Sequence, residues 1–368
     1  MKVFKTIAID GNEANVSRPV GSNYYALQII INLTKYFPGT NFRILLKSSP
    51  LPHMPKARNI AYEVFGPQKL WTRFALPLRL KFKNPKIPIL FTPGHYTPKI
   101  KGVKKIIVIF DLADLKFPKY FVKKDLVQLK KWTNISLKAC DGIITISKST
   151  QTDIGKYYPD HNKPIKVIYP GYNSELFKPV KDQVRLRKIK NKYSLPDKFI
   201  LFIGTVQPRK NIQGIISAMK YNNDFNLVVV GKKGWLSGPI FEDAKSYADR
   251  IIFTDYVPDE EMPLIISLAD CLILPSFYEG FGIPVIEALA CGCPVIVSQN
   301  SSLSEAAGKA GLFIDPNDPQ DIASKIKIIC ENQQIRKSLV GNASAQVKKF
   351  SWKENAFQTY QFISSIVD

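Results

Sequence analysis

An α/β fold of two consecutive Rossmann-like domains is what this 368-residue chain predicts, and three observations predict it. Apolar runs of strand length recur along the sequence, each leading into a polar or glycine-bearing loop and then a helical stretch. The pattern restarts near residue 199, after a segment rich in turn residues. The length suits two domains of ordinary size, each able to bury its own core.

Thr6-Ile-Ala-Ile-Asp10 reads as the first strand, and Gly21 follows it just before a helical run from Tyr24 to Leu33. This first strand-to-helix turn is where open α/β sheets place ligands. Phe42-Arg-Ile-Leu-Leu46 is a second strand. Residues 67–88 then interleave Lys and Arg with Trp71, Phe74 and several leucines. Two readings stand here: an interfacial amphipathic helix lying on anionic lipid, or a core-packed helix with a basic outer face. Pro77 is expected to break any long helix. Ile89-Leu-Phe91 and Ile106 to Phe110 are further strands, opening into loops that carry His95 and Asp111. Asp141 to Ser147 and Ile165 to Tyr169 complete the first sheet, with a helix from Lys148 to Tyr157 between them. Pro170-Gly-Tyr-Asn-Ser174 and on to Pro179 has linker chemistry. The expected domains are therefore 1–172 and 173–350, with 351–368 as a final helix of periodic aromatic and aliphatic residues packing back on the first.

In the second half, Phe199 to Ile203 is a strand, followed by Gly204 and then Arg209 and Lys210 at the start of a helix. Leu227 to Val230 and Ile251 to Phe253 are strands, the latter leading to Val257. Cys271-Leu-Ile-Leu274 leads into the stretch around which the chain is organised, Pro275-Ser-Phe-Tyr-Glu-Gly-Phe-Gly-Ile-Pro-Val-Ile-Glu287. Gly280 and Gly282 let backbone approach a ligand. Pro284 suits a first helical turn, and the free N–H groups there favour anions. Glu279 in the loop and Glu287 in the helix add two carboxylates, which accept hydrogen bonds from hydroxyls. A ligand carrying both phosphate and hydroxyls fits this combination, as a sugar nucleotide does.

Composition narrows the class. No run approaches the roughly 20 apolar residues of a bilayer span, and the N-terminal stretch is expected not to be a signal peptide. Five cysteines without a C-x-x-C pair read as buried thiols of a reducing compartment, and three histidines argue against a multi-histidine metal site. Residues 1–172 hold 29 Lys and Arg against 9 Asp and Glu, a balance of +20, whereas 173–368 hold 23 against 21, a balance of +2. That asymmetry predicts an anionic partner surface for the first half.

Glu279 and Glu287, with the residues around them and Ser301-Ser-Leu-Ser-Glu305, resemble the E-x7-E motif of retaining GT-B glycosyltransferases, in wording similar to glycosyltransferase family 4 and its O-antigen mannosyltransferases. The resemblance spans nearly the whole chain and is strongest in 199–320. It includes the glycine loop Val20-Gly-Ser-Asn-Tyr-Tyr25 and the stretch from Gly204 to Arg209-Lys-Asn211. It implies a GT-B fold with an interdomain cleft and transfer of a hexose from a nucleoside diphosphate sugar to a glycan or lipid-linked acceptor, with retained configuration. Arg209 and Lys210 would neutralise the diphosphate, and Glu279 would orient the sugar. The N–H groups of Phe281, Gly282 and Ile283 would hold hydroxyls or phosphate, and Glu287 the ribose. Gly21, Asp111, Gly204, Val257 and Gly280 complete the implied donor contacts. Where the family has a His, this chain has Phe110, and His95 is a candidate sugar or acceptor contact instead. At Asp255 a usual Gly is replaced. No cofactor or metal is expected. The expected location is cytoplasmic, peripheral at the inner face of the membrane through the basic first domain. Two alternatives remain from the sequence: a non-catalytic sugar-nucleotide-binding scaffold, and a nucleic-acid binder using the basic half, for which no recognised module is visible.

Overall fold

A computed structural model describes residues 4–82, 87–222 and 224–367. The chain divides into two compact units, Met1–Gly171 together with Ser351–Asp368, and Tyr172–Phe350.

The first unit holds a seven-stranded sheet: β1 (Thr6–Asp10), β2 (Asn41–Leu46), β3 (Ile60–Val64), β4 (Ile89–Thr92), β5 (Lys104–Ile109), β6 (Gly142–Thr145) and β7 (Ile165–Val167). The order is β3-β2-β1-β4-β5-β6-β7. All pairs are parallel, with Ile9 beside Ile44 on one side and beside Phe91 on the other. Central strands such as Ile89–Thr92 are buried at every position, as strands covered on both faces must be. Edge strand β3 is half exposed and alternates Ile60, Tyr62 and Val64 with Ala61 and Glu63. Its pattern was too mixed to be read as a strand from sequence.

The second unit holds β8 (Ile200–Ile203), β9 (Leu227–Val230), β10 (Ile251–Asp255), β11 (Cys271–Leu274), β12 (Val295–Ser298) and β13 (Gly311–Ile314). The order β10-β9-β8-β11-β12-β13 is again parallel throughout. In each sheet the strand order reverses once, between β1 and β4 and between β8 and β11. The loops leaving the carboxyl ends of those four strands flank the crevices where such sheets bind ligands.

The C-terminal helix Trp352–Val367 belongs to the first unit. It buries Trp352, Ala356, Tyr360 and Ile363, one helical stripe, facing the helix Ser22–Tyr36. Tyr360 stacks on Phe37 at 3.9 Å, accepts a hydrogen bond from the Phe4 amide at 3.0 Å and lies 2.8 Å from the Thr40 hydroxyl. Each such buried side chain contributes about 1.5–3 kcal/mol. Gly171 permits the approach, since a Cβ there would fall 2.1 Å from the Trp352 nitrogen.

As expected, no long helix runs through Pro77 among the described residues. The helix is short, Ala75–Phe82, and Pro77 sits in its first turn, where a missing N–H costs little. Residues 83–86 of the basic stretch lie outside the described residues. Ala75, Leu76 and Leu80 pack into a cluster with Trp71, Ile87 and Val103. The outer face is not simply basic: Leu78 and Phe82 on the helix, and Leu70 and Phe74 in the turns leading into it, are each more than half exposed.

Candidate active site

Two loops build the centre of the second unit. After β8, Gly204 leads to a 3₁₀ turn, Pro208–Lys210, and to Asn211 in the left-handed region at φ 57°. Asn211 caps the helix Ile212–Ala218 by accepting from the Gly214 amide at 3.2 Å. Its side-chain nitrogen donates to the carbonyls of Pro275 and Pro316, at 3.0 and 2.7 Å. One buried amide thus ties together the loops after β8, β11 and β13. The Arg209 carbonyl accepts from Phe277 at 3.0 Å, which closes the first loop onto the second.

After β11, the chain from Pro275 to Gly282 leads into the helix Ile283–Ala290. Lys210 Nζ donates to Glu279 Oε1 at 2.6 Å, Arg209 Nη1 lies 3.4 Å from Oε2, and the same guanidinium donates to the Tyr278 carbonyl. Burial alone would raise the Glu279 carboxyl, yet the Lys210 and Arg209 charges hold it down to about 2. It is therefore a carboxylate at any working pH. The Ser301-Ser-Leu-Ser-Glu305 segment now has a physical role. Ser301 Oγ accepts from the Glu279 amide at 3.2 Å, and Ser302 Oγ donates to the Glu279 carbonyl at 2.7 Å.

Gly282 has φ 102°, and a Cβ on it would meet Leu303 at 2.6 Å. Only glycine fits both demands. The amides of Gly280, Gly282 and Ile283 donate to nothing among the described residues, and they open the helix Ile283–Ala290. Phe281, by contrast, turns its ring into the core against Phe350. The side-chain carboxyl of Glu287, in the second turn of that helix, forms no hydrogen bond or ion pair among the described residues. Burial first, and the charge of Asp259 second, push its carboxyl up to about 8.

Gly204 adjoins this group, since a Cβ there would lie 3.7 Å from Lys210 Nζ. Val257 is buried beyond β10. Asp255 adopts φ 56° and accepts from the Gly231 amide at 2.9 Å, so the position needs the left-handed conformation that glycine or aspartate supplies.

Within the first unit, Gly21 at φ 57° precedes the helix Ser22–Tyr36, and a Cβ there would meet nothing within 4 Å. Glu13 holds that helix start, accepting from Ser22 at 2.7 Å and from Asn23 at 2.9 Å. Sequence reasoning missed Glu13, and also Asp10, whose buried carboxyl is raised to about 6 by loss of water against two Asn12 hydrogen bonds. A short Asp-Gly-Asn-Glu run after the first strand was the available signal.

His95, Phe110 and Asp111 do come together. The Phe110 amide donates to His95 Nε2 at 2.8 Å, and the two rings stack at 5.5 Å. Phe110 also meets Tyr25 in a T-shaped contact at 5.2 Å, so an aromatic wall stands where the resemblance places an imidazole. Burial lowers the His95 pKa while the charge of Asp111 opposes it. Asp111 is itself bound to its own turn, accepting from the Ala113 amide at 3.0 Å.

The sequence pattern of the family described as "Glycosyl transferases group 1" matches residues 185–346. O-antigen chain mannosyltransferase B of Escherichia coli is 30% identical over 275 residues, which are 73% of this chain and 71% of that protein. The chain belongs to the group 1 glycosyltransferases. Among solved structures, the sucrose-phosphate synthase of Thermosynechococcus elongatus matches this glycosyltransferase with a TM-score of 0.76 and 21% identity, over 98% of this chain and 99% of that one. Anabaena Alr3699/HepE, solved in complex with UDP and glucose, matches with a TM-score of 0.74 and 18% identity, over 98% and 100%. At those identities the likeness shows the fold, which is GT-B with two parallel-sheet Rossmann-like domains. No helix of the glycosyltransferase, among the described residues, is long and apolar enough to cross a membrane.

Proposed function

We propose that this glycosyltransferase moves a hexose from a nucleoside diphosphate sugar to a glycan or lipid-linked acceptor, with retained configuration, in cell-envelope polysaccharide synthesis. The observation that carries the reading is the Arg209–Glu279–Lys210 cluster, set beside the unpaired amides of Gly280, Gly282 and Ile283 at a sheet's switch point. It combines fixed cations for a diphosphate with acceptors for sugar hydroxyls. Two cations against one carboxylate leave a net positive charge, available to a leaving diphosphate whose charge grows in the transition state. Cationic side chains in that role make a metal unnecessary in this reading. Glu279, held ionised, orients the sugar and supports the developing oxocarbenium ion. Glu287, without a partner, is the acceptor for ribose hydroxyls. Gly21, His95 and Asp111 are assigned to sugar or acceptor contacts, and Gly204 and Val257 to the nucleotide.

Similarity to an O-antigen mannosyltransferase favours mannose, and GDP-mannose as donor. The membrane reading rests on the +20 balance of residues 1–172 and on the exposed stripe Leu70, Phe74, Leu78 and Phe82, which together suit an anionic bilayer surface. Thermal-shift screening with UDP, GDP and ADP sugars tests the donor assignment. One class should stabilise the protein, and Arg209→Ala with Lys210→Ala should abolish that shift together with transfer. Unchanged nucleotide affinity and unchanged transfer in that double variant refute the assignment.

A further inference from the structure

The first unit carries a cavity of about 620 Å³ at the amino ends of β5 and β6, the opposite end of β5 from Asp111. Lysines crowd its lining. Lys105 is buried and already committed: its ammonium donates to the carbonyls of Ile100 and Val103, both at 2.8 Å, and pairs with Asp141 at 3.6 Å. Asp141 is the cavity's single carboxylate, and it also accepts from the Lys105 amide at 2.9 Å. Lys99, Lys101, Lys104 and Lys138 remain. All four are exposed, and among the described residues none makes a hydrogen bond or ion pair through its side chain.

Four ammonium groups around one hollow repel one another, and an anion of high charge relieves the repulsion. Each presents a compact charge with three donors, which suits the oxygens of a phosphate. The surroundings indicate where that phosphate comes from. Val103, beneath the cavity, packs in one cluster with Trp71, Ala75, Leu76 and Leu80, and Ile100 packs against it. That cluster is the inner face of the helix whose outer face exposes Leu78 and Phe82, with Phe74 exposed in the turn just before it. The basic hollow and the apolar stripe therefore rest on one core. An anionic lipid surface offers both complements, phosphate head groups and hydrocarbon.

We propose that this cavity receives the phosphate head group of an anionic phospholipid while Leu70, Phe74, Leu78 and Phe82 enter the acyl boundary beside it. The inference rests on the membrane reading above and gives it a specific site. The test compares the wild-type chain with two charge-matched variants, one with Lys99, Lys101, Lys104 and Lys138 changed to Gln, the other with Lys123, Lys124, Lys130 and Lys131 changed to Gln. Circular dichroism establishes that all three are folded. Co-sedimentation uses vesicles of phosphatidylglycerol in phosphatidylcholine, with pure phosphatidylcholine as the neutral control. Wild-type binding should need phosphatidylglycerol, and the cavity variant should bind about a hundredfold more weakly, at least tenfold worse than the helix variant. Equal losses in the two variants overturn the site and leave a diffuse electrostatic attraction, with the membrane reading intact. No wild-type binding to either vesicle overturns the membrane reading as well. Calorimetric binding of tripolyphosphate that the cavity variant abolishes, without vesicle binding by the wild type, overturns the lipid assignment in favour of a soluble phosphate compound.

Discussion

Lys210 and Glu279, 69 residues apart in sequence, meet at 2.6 Å in a pair whose side chains are 16% and 9% exposed, with Arg209 on the carboxylate's other oxygen. Removing one member of a buried ion pair leaves the other uncompensated, at a cost of about 3–5 kcal/mol. Arg209 remains in Lys210→Ala and softens the loss, so about 2–3 kcal/mol is expected by urea denaturation. The double variant Lys210→Ala/Glu279→Ala should be more stable than the sum of the single losses predicts. Transfer should fall by about a hundredfold or more in either single variant, because preorganised charge supplies terms of that size. A wild-type rate in Lys210→Ala would remove this residue from the chemistry.

The two glutamates of the motif should titrate in opposite directions. Glu279 drops from 4.5 to about 2 on folding, so the stability it supports is complete above pH 4.5 and is lost as pH falls through 2. Glu287 rises from 4.5 to about 8, so the folded chain keeps a proton that the unfolded chain releases. Its effect is a stability loss that accumulates as pH rises from 4.5 to 8. Against wild type, Glu287→Gln should gain about 1–3 kcal/mol across that window, a partly solvated fraction of what such a shift allows. Glu279→Gln should flatten the acid limb instead. Urea midpoints taken from pH 3 to 9 separate the two.

The same pair shows what sequence can and cannot carry. Both glutamates, the glycines between them and the Arg209-Lys210 dipeptide are legible, because backbone conformation and helix starts leave local signatures. The ion pairing is not, since it joins loops from β8 and β11 that no spacing rule connects. Nor is the proton on Glu287, which depends on burial and on Asp259 from another loop. Strands fared likewise. Ile200–Ile203 and Cys271–Leu274 announce themselves as unbroken apolar runs, whereas edge strand Ile60–Val64 does not. The helix Gln183–Lys192 was also missed: of its ten residues only Leu186 and Ile189 are buried, too few to mark an apolar face. Phe110 was visible as a departure from the family, but its place between Tyr25 and His95 was not.

Gly282 carries two separable constraints, a φ of 102° and the contact with Leu303. Gly282→Ala should cost about 2–3 kcal/mol, from overpacking and backbone strain together. Adding Leu303→Ala removes the clash and leaves the strain. The double-mutant cycle should then show a favourable coupling of about 1 kcal/mol. Purely additive losses would mean that Leu303 does not press on this turn.

Asn211 offers a near-isosteric test of loop assembly. In Asn211→Asp the Gly214 cap acceptor survives, but the Pro275 and Pro316 carbonyls lose their donor and face a buried oxygen instead. Two unsatisfied carbonyls at about 1–3 kcal/mol each give an expected loss of about 2–6 kcal/mol at neutral pH. Because the new carboxyl regains a donor when protonated, the loss should shrink as pH falls. Urea unfolding at pH 5 and pH 8 measures that change, and a loss under 1 kcal/mol at pH 8 would contradict the bridging role.

His95 has its proton assigned by geometry alone. The Phe110 amide can only donate, so Nε2 accepts and the neutral ring carries its hydrogen on Nδ1. Protonating Nε2 would break that 2.8 Å bond inside a buried stack, in keeping with a pKa held below the usual 6.5 by burial despite the charge of Asp111. The linkage follows in sign: stability supported by neutral His95 is present above pH 6.5 and is lost as pH falls below it. Nitrogen-15 spectra of the imidazole should show the Nδ1–H tautomer at pH 7 and a midpoint below 6.5. In Phe110→Pro the amide donor disappears, and so should the tautomer preference. A His95 ring that keeps the same tautomer and midpoint in that variant, still folded, would show that something other than the Phe110 amide sets its proton.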